Sequence, residues 1–470
     1  MIAAMDVSLF LYNLIKAMAM RRTRLRSIRR VPRSEILALQ RRRLAHLLEY
    51  AAKTSSFYRR RWNARVPQPE DLSRLEPLDK TTLIEHYDEV LSVKDLSLDD
   101  TRKWLNGKQD AQPKKYIFAA TSGTTGQPLV IPYRLNEWRE GMAYIIRSAE
   151  LAIEGTWGRG SDPLSLLYLM RKRPRIAGVS TLNPIHVSAR LTRSFRAGIV
   201  PSLLLSAGTP LEQQLEELNR FKPTVLGGYP SAIAPLVKAA EKNKLHISPE
   251  LIVTGGETVS QALRRLVRKV WGLELFDYYG LAETLVIAGE CRRHQGLHIY
   301  EDAVVLEVVD EQGKPLPPGK TGHSVLLTCL FNKTLPVIRY DVGDILSVNE
   351  EPCACGTPLK RIVSLEGRKD ELLVLRRKNG QPVEVHPIVF ESALLGMAEI
   401  RQFQIDVLAG EKVRITIVPH GHAGDTVPKA LSALSEALSP LGIGEDVLQI
   451  RTATGIKSRR GPTDKLLLRT

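Results

Sequence analysis

The sequence predicts an α/β fold in which a large domain of mixed strands and helices is followed by a smaller α+β domain. The run Leu164 to Leu169 has the uninterrupted apolar character of a buried strand, and Leu211 to Phe221 is long and amphipathic. After Glu371 the pattern changes to short hairpins and one helix. Because 470 residues exceed what one hydrophobic core usually serves, we place a domain boundary near Asp370.

The smaller domain is predicted from two hairpin patterns and one helix. In each hairpin pattern, two apolar runs are separated by a pair of turn residues, and Asn-Gly is the strongest two-residue turn signal. In the helix, leucines recur at steps of three and four. The segments are Leu372 to Leu375 and Val383 to His386 around Asn379-Gly380, Gln402 to Leu408 and Val413 to Val418 around Ala409-Gly410, and the helix of Leu431, Leu434 and Leu438.

A turn rich in hydroxyl and glycine residues, Ala119 to Pro128, is the strongest single functional signal. Its glycines let backbone N–H groups approach an anion, and its hydroxyls add donors around the same oxygens. It lacks the lysine of a P-loop, so that motif is excluded. A solvated loop of the same composition is the structural alternative. The candidate phosphate-binding residues are Thr121, Ser122, Gly123, Thr124, Thr125 and Gly126.

Further motifs follow this turn in a fixed order: Leu251 to Glu257, Leu273 to Thr284, Val337 to Asp344, Gly367 to Glu371 and Arg460 to Lys465. Their order and spacing resemble the adenylate-forming superfamily of acyl-CoA synthetases, peptide-synthetase adenylation domains and luciferases, and more narrowly its phenylacetate-CoA ligase and CapK-like branch. The resemblance runs from about Leu39 to the end. It implies a large adenylating domain of several subdomains (34–369) and a mobile C-terminal lid (370–470), and the charge distribution adds a basic N-terminal extension (1–33).

The resemblance also implies a role for each matching residue. The hydroxyl-rich turn would hold the β- and γ-phosphates of ATP, Tyr279 would stack on adenine, and Glu283 would ligate Mg²⁺, since a hard carboxylate suits that ion. Asp344 would accept hydrogen bonds from the ribose, although Asp341 and Val342 replace the usual Arg-Thr of the motif. The other residues implied at the nucleotide site are Gly256, Glu257, Tyr278, Gly280 and Arg368.

Two C-terminal positions complete the predicted machinery. Asp370 would be the hinge between the domains, although Gly367 to Asp370 also fits an ordinary charged turn. Lys465 would bridge the substrate carboxylate and the α-phosphate, a task that suits a flexible ammonium group. Asp464 stands where the family usually has glycine, so Lys457 is the alternative residue for this role. The structural alternative is that Lys465 is a solvated lysine without a catalytic role.

These implied residues support three hypotheses. In the first, ATP activates an aryl or otherwise hydrophobic carboxylic acid as its acyl-adenylate, and the acyl group passes to the thiol of CoA. The second keeps the adenylate but transfers the acyl group to an amine, giving an amide ligase for a polysaccharide or natural product. The third is a nucleotide-binding accessory protein without turnover. ATP, Mg²⁺ and CoA are the implied cofactors and co-substrates.

Basic residues are concentrated at the N-terminus of a chain whose net charge is +16. Residues 1–61 contain 13 Arg and 2 Lys against one Asp and two Glu, and the arginines from Arg21 to Arg30 follow the apolar stretch Val7 to Met20. This order suits a helix lying on an anionic membrane, and a helix packed on the enzyme is the alternative. It fits neither a signal peptide nor a clean membrane span. Without interleaved aromatics, nucleic acid is not an expected partner.

The four cysteines indicate a reducing, cytoplasmic compartment and a candidate zinc site. Cys329 lies in the apolar run Val325 to Leu330 and is predicted to be a buried small hydrophobe. The other thiols, with one imidazole, form a C-x₂-H pair and a C-x-C knuckle that could hold a structural Zn²⁺. The predicted ligands are Cys291, His294, Cys353 and Cys355.

Three other aromatic side chains lie near the motifs: His298, His186 and Tyr229. His298 begins a strand and is given a structural interpretation without a site role. His186 and Tyr229 are candidates for lining the acyl pocket. The sequence alone leaves the acid, the acceptor and the oligomeric state open.

Overall fold

The structure is a computed structural model that describes residues 31–105, 115–121, 129–153, 174–180, 201–207, 209–368, 373–385, 388–395, 397, 399–408, 412–419 and 423–454. The predicted strand Leu164 to Leu169 lies outside these residues, as does the extension up to residue 30. Within the described part of the chain, no helix combines the length and the apolar character needed to cross a lipid bilayer.

Helices occupy both ends of the described chain and the intervals between strands. The helices are α1 (Arg33–Thr54), α2 (Ser56–Arg61), α3 (Lys80–Glu85), α4 (Tyr87–Val90), α5 (Leu98–Leu105), α6 (Leu135–Ile153), α7 (Leu211–Phe221), α8 (Pro230–Glu241), α9 (Gln261–Trp271), α10 (Ile388–Leu395) and α11 (Ala423–Leu438). Short 3₁₀ helices lie at Pro69–Arg74, Ser439–Leu441 and Glu445–Val447.

The strands form one large sheet and four small ones among the described residues. They are β1 (Tyr116–Ala120), β2 (Val130–Arg134), β3 (Ile176–Ser180), β4 (Ser202–Ser206), β5 (Val225–Gly228), β6 (Leu251–Gly255), β7 (Leu275–Tyr279), β8 (Ala288–Glu290), β9 (Leu297–Ile299), β10 (Val304–Val309), β11 (Ser324–Cys329), β12 (Tyr340–Asp341), β13 (Asp344–Asn349), β14 (Arg361–Arg368), β15 (Leu373–Arg376), β16 (Pro382–Val385), β17 (Ile400–Leu408), β18 (Lys412–Pro419) and β19 (Leu448–Thr452).

The large sheet has nine strands in the order β13-β14-β9-β8-β7-β6-β5-β3-β4. Its half from β4 to β7 is parallel, with α8 and α9 connecting successive strands, whereas the half from β7 to β13 is antiparallel. A parallel half needs helical crossovers, and they cover it with apolar side chains. The carboxyl ends of the parallel strands therefore all lie at the same edge of the sheet, and the turns that follow these strands lie there too.

In the described part of the chain, three hydrophobic cores hold these elements. One packs α1, the β1–β2 hairpin and β10–β11 around residues such as Leu48 and Phe118, and a second packs α7, α8 and α9 on the parallel strands. The third core draws all its residues from Leu373 to Ile450. This separate core is what a small C-terminal α+β domain requires.

Several predicted elements are confirmed. The helix from Leu211 to Phe221 has the predicted bounds, since its apolar positions follow the helical period. The Leu431, Leu434 and Leu438 pattern lies on α11, and Cys329 is fully buried in β11. The β17–β18 hairpin also forms, although its turn, 409–411, lies outside the described residues.

The Asn379-Gly380 turn differs from its prediction in length. Arg377 N donates to Gln381 O and Gly380 N donates to Arg377 O, so the loop between β15 and β16 has three residues rather than two. Gly380 has φ +83, the left-handed conformation that closes such a loop. Helix α10 and strand β19 were not predicted from the sequence. Strand β19 pairs in parallel with β18.

Candidate active site and metal centre

The candidate site lies at the carboxyl ends of the parallel strands β5, β6 and β7. Tyr229, Gly256 and Gly280 each follow directly after one of these strands. In open α/β sheets this edge is where ligands bind, because the turns that leave adjacent strands converge there. The sheet thus brings together motifs that are separated along the sequence.

Glycines at the end of β6 leave room for two tyrosine rings. A Cβ on Gly255 would lie 2.5 Å from Tyr278 Cζ, so the ring of Tyr278 lies directly against this backbone. Gly256 has φ +79, and a Cβ there would lie 3.1 Å from Tyr229 Cε1. Both positions therefore need glycine, one for a close approach and one for a left-handed backbone as well.

Glu257 links the β6 turn to the start of α8. Its two carboxylate oxygens accept hydrogen bonds from Ser231 N and Ser231 Oγ, both at 3.0 Å. A carboxylate at a helix N-terminus satisfies otherwise unpaired N–H groups and complements the helix dipole. In this structure Glu257 fixes the shape of the edge on which Gly256 and Tyr229 lie.

Tyr279 and Asp344 meet although they are distant in sequence. The Tyr279 hydroxyl donates a hydrogen bond to Asp344 Oδ2, and only 7% of Tyr279 and 4% of Asp344 are exposed. Asp344 begins β13 and is paired in register with Arg368, the last residue of β14. Three of the predicted site residues are therefore placed side by side by β7, β13 and β14.

The departure from the family motif at Asp341 has a structural use. Asp341 Oδ1 accepts a hydrogen bond from Ser324 Oγ, and it also accepts one from Gly343 N at 2.9 Å. Gly343 has φ +72, which turns the chain sharply just before Asp344. Asp341 thus stabilises the turn that presents Asp344, as an Asx-type contact does.

Glu283 lies in the turn after β7, next to the hairpin that leads to the phosphate-binding candidate. Only 4% of Glu283 is exposed. The Tyr133 hydroxyl on β2 donates to Ala282 O at 2.6 Å, which docks the hairpin beside this turn. Thr121 and Leu129 close the hairpin, since Thr121 N donates to Leu129 O at 2.9 Å and Leu129 N donates to Thr121 Oγ1 at 3.0 Å.

Part of the predicted site lies outside the described residues: Ser122, Gly123, Thr124, Thr125, Gly126, His186, Asp370, Lys457 and Lys465. Arg368 is described for its backbone alone. The roles implied for these residues stay predictions.

A cluster of three thiols and one imidazole that could hold a metal ion lies on the antiparallel half of the sheet. The ligand atoms of Cys291, His298, Cys353 and Cys355 are all within 4.8 Å of one another. Cys291 Sγ and Cys353 Sγ are 3.8 Å apart, and Cys355 Sγ is 3.4 Å from His298 Nε2. Thiolates about 2.3 Å from a tetrahedral Zn²⁺ would be about 3.8 Å apart. The donor set and its spacing therefore fit zinc.

The thiols of this cluster also perturb one another. A hydrogen bond from Cys291 lowers the pKa of Cys355, and the nearby His298 ring lowers it further. The same contact raises the pKa of Cys291. A cation at the centre would stabilise the thiolate form of all three cysteines.

His294 was predicted as the fourth ligand, and the structure corrects this to His298. His294 Nδ1 lies 3.0 Å from Glu290 Oε1, and its ring packs on Phe276 with centroids 4.9 Å apart. His294 has φ +49 and belongs to the turn between β8 and β9, whereas His298 lies on β9 itself and is fully buried. The C-x₂-H spacing was misleading because the cluster is assembled from the β8–β9 hairpin and from the loop between β13 and β14.

The fold and these motifs together define an AMP-binding enzyme. The pattern of the AMP-binding enzyme family matches residues 36–326, and the chain belongs to this family. It is an adenylate-forming enzyme like the phenylacetate-CoA ligases, the class predicted from its motifs.

Individual relatives agree with this membership. A phenylacetate-coenzyme A ligase from Thermus thermophilus is 30% identical over 387 residues, which cover 79% of this chain and 77% of that protein. The CapK protein of Staphylococcus aureus is 22% identical, over 73% of this chain and 70% of that protein.

A solved structure shows the same fold. A crystal structure of 2-hydroxyisobutyryl-CoA ligase in the postadenylation state, in complex with 2-HIB-AMP, matches with a TM-score of 0.67 at 18% identity. The match covers 90% of this chain and 86% of that chain. The predicted α/β fold class is thereby confirmed.

Proposed function

We propose that the chain activates an aryl or otherwise hydrophobic carboxylic acid with ATP and transfers the acyl group to the thiol of CoA. In the first step a carboxylate oxygen attacks the α-phosphorus, the bond from that phosphorus to the bridging oxygen breaks, and pyrophosphate leaves. In the second step the thiolate sulfur attacks the acyl carbonyl carbon, and AMP leaves. The phenylacetate-coenzyme A ligase relatives support both steps.

The observation that carries the proposal is the convergence of Gly256, Tyr279, Glu283 and Asp344 at one edge of the sheet. Asp344 would accept the ribose hydroxyls, and its hydrogen bond from Tyr279 fixes the orientation of its carboxylate. Tyr279 would offer an aromatic surface to adenine. The backbone of Arg368 lies opposite Asp344, where its guanidinium would be within reach of the ribose and phosphates.

Glu283 is the residue that would hold Mg²⁺. Its carboxylate is a hard oxygen donor, and it lies beside the hairpin that carries the phosphate-binding candidate. When bound, the ion neutralises triphosphate charge, so that a carboxylate can approach phosphorus. The hydroxyls and N–H groups of the turn after Thr121 would hold the outer phosphates.

The ring of Tyr229 is a candidate for the wall of the acid pocket. It lies against Gly256, directly after β6, next to the expected nucleotide. Tyr229 is buried, with 7% exposure, and an aromatic wall favours an aryl or apolar acid over a polar one. His186 would contribute to the same wall.

The C-terminal residues would supply the mobile part of the machinery. The separate core of residues 373–450 supports a lid that turns as a unit about Asp370. Lys465 would then bring its ammonium to the carboxylate and the α-phosphate, where charge develops in the transition state. Lys457 remains the alternative residue.

The metal centre is proposed to hold a structural zinc ion through Cys291, His298, Cys353 and Cys355. Four protein ligands leave no open position for substrate or water, so the ion would take no part in the chemistry. Elemental analysis of the purified protein should find about one zinc per chain. A substoichiometric amount would contradict the assignment.

The basic N-terminus is proposed to contact anionic membranes. Six arginines between Arg21 and Arg30 follow an apolar stretch, an order that suits an interfacial helix. Co-sedimentation with vesicles containing phosphatidylserine should fall when residues 1–30 are deleted. Equal sedimentation of both forms would argue for the alternative, in which the segment packs on the enzyme.

Acid-dependent exchange between ATP and pyrophosphate tests the adenylation step. A panel of aryl and aliphatic acids should include at least one that supports exchange, and Lys465→Ala should lose about 10² to 10³ of that rate while still binding ATP. Lys457→Ala is the matched control and should keep the rate. If Lys457→Ala loses the exchange rate and Lys465→Ala keeps it, Lys457 is the residue that contacts the carboxylate and the α-phosphate. If the protein binds ATP but no acid supports exchange, the hypothesis of a nucleotide-binding accessory protein is favoured.

Mass spectrometry of the product distinguishes the two acceptors. With the acid identified by exchange, incubation with ATP, Mg²⁺ and CoA should give the acyl-CoA thioester. Formation of an amide with an added amine, and no thioester, would replace the CoA ligase proposal with the amide ligase.

A further inference from the structure

The strand pair β13–β14 extends from the proposed nucleotide site at one end to the metal centre at the other. At one end, Asp344 is paired with Arg368. At the other end, the loop between the two strands contains Cys353 and Cys355. The remaining ligands, Cys291 and His298, belong to the β8–β9 hairpin. A metal ion would therefore join two hairpins, each contributing two ligands.

Among the residues that the structure describes, few other backbone contacts attach β14 to the main sheet. The pairs between β14 and β9 are Arg361↔His298 and Ile362↔Leu297. One further hydrogen bond runs from Ile299 N to Lys360 O, at 2.9 Å. All of these contacts lie at the metal end of the hairpin. The longer ladder, between β13 and β14, joins the hairpin to itself. At its other end, Asp344 is linked to β7 by the hydrogen bond from the Tyr279 side chain, and Val342 N, just before β13, donates to Val325 O on β11 at 3.1 Å.

On its other side, β13 is held at its middle. Gly322 N donates to Leu346 O at 3.2 Å, and Gly319 N donates to Val348 O at 2.8 Å. This attachment would act as a pivot. At about 3.3 Å per residue, counted from Ser347 and its partner Ser364 at the middle of this attachment, the metal end at Lys360 lies about 13 Å from the pivot and Asp344 about 10 Å from it. A shift of about 1.5 Å at the metal end would then move Asp344 by about 1.1 Å, more than a preorganised site tolerates.

We infer that the Cys291–His298–Cys353–Cys355 metal centre positions Asp344 and Arg368 for nucleotide binding, so that loss of the metal lowers the affinity for ATP. The inference rests on the proposed nucleotide site and on the proposed zinc ion. The buried side chains of Leu346 and Ile362 keep the hairpin in the hydrophobic core without the metal, so a displacement rather than unfolding is expected.

His298→Asn in the full chain is the test, with His294→Asn as its matched control. For His298→Asn we expect zinc below about 0.2 per chain and a dissociation constant for ATP that rises about tenfold by titration calorimetry. Hydrogen exchange should rise in residues 344–349 and 361–367 and stay unchanged in 225–228 and 251–255. His294→Asn should keep its zinc and its ATP affinity within about twofold.

Removing zinc from the unmodified protein with a chelator and adding Zn²⁺ back gives a second measurement that needs no substitution. Affinity for ATP should fall and recover. Loss of zinc without a change in ATP affinity or exchange would overturn the inference but leave the zinc site standing. Faster exchange throughout the sheet would also overturn it, because the metal would then support the whole fold. No ATP binding by the zinc-loaded protein would instead refute the proposed function.

Discussion

Gly255→Ala probes the contact between the end of β6 and the ring of Tyr278. A Cβ at this position would lie 2.5, 2.6 and 2.7 Å from the three outermost ring carbons. Carbon atoms pack without strain at about 3.5–4.0 Å, so the ring has to withdraw by about 1 Å. Tyr278 is half-buried, which gives its ring somewhere to go. The substitution should therefore displace the ring without unfolding the protein.

We expect this displacement to lower kcat/KM for ATP about 10- to 100-fold in the exchange assay. The reason is that misplacing a positioned group by about 1 Å can cost about 10²-fold. The melting temperature should change little. Gly424→Ala is the matched control, since no atom of the described residues lies within 4 Å of a Cβ there. Neither glycine has a positive φ, so alanine is compatible with both backbones.

A double substitution tests whether the effect of Gly255→Ala comes from the ring of Tyr278. In a Tyr278→Ala background the ring is gone, so adding Gly255→Ala should cost less than about twofold. This non-additivity is the signature of a direct contact. If Gly255→Ala instead costs the same with and without the ring, the loss has another origin and the placement of Tyr278 is wrong.

The remaining predictions concern stability and the nucleotide site. Arg147→Met removes the arginine that donates two hydrogen bonds to the buried carboxylate of Asp302. Because the carboxylate is left without its charged partner, urea titrations should show a free energy of unfolding lower by about 3–5 kcal/mol. A loss below about 1 kcal/mol would contradict this prediction. Tyr279→Phe removes the hydrogen bond that the Tyr279 hydroxyl donates to Asp344. Because the Asp344 carboxylate then loses this partner, calorimetry should show ATP binding weaker by about 1–3 kcal/mol. An unchanged affinity for ATP would refute this prediction. Leu434→Ala opens a fully buried position in the third core, so residues 373–450 should lose about 2–5 kcal/mol of protection from hydrogen exchange while β5 and β6 keep theirs.

Local patterns were predicted from sequence, whereas pairings between distant strands were not. The helix Leu211 to Phe221 was predicted with its bounds because its amphipathic period is contained in eleven residues. The parallel pairing of β18 with β19 joins Val413 to Leu448 across an intervening helix, and neither strand carries a signal for the other. Such non-local pairing is specified by the whole core.

In the candidate site, too, single residues could be predicted from the sequence, whereas the contacts between them could not. The motif residues Gly256, Tyr279, Glu283 and Asp344 could be assigned from order and spacing, because each belongs to a short recognisable segment. The hydrogen bond between Tyr279 and Asp344 could not, since it depends on β13 joining the sheet through β14 and β9. Asp341 was noted as a departure from the family motif, and its use in presenting Asp344 appears only with the turn in place.

The choice between His294 and His298 follows from strand register. β8 and β9 are antiparallel with Gly289 opposite His298, and directly opposite residues point to the same face of a hairpin. Cys291 lies two residues beyond Gly289, so the period of two places its side chain on that face as well. His294 lies in the turn, where neither strand fixes its direction. Since a slip of one residue would turn His298 away from Cys291, the ligand set depends on this register, which the C-x₂-H spacing could not reveal.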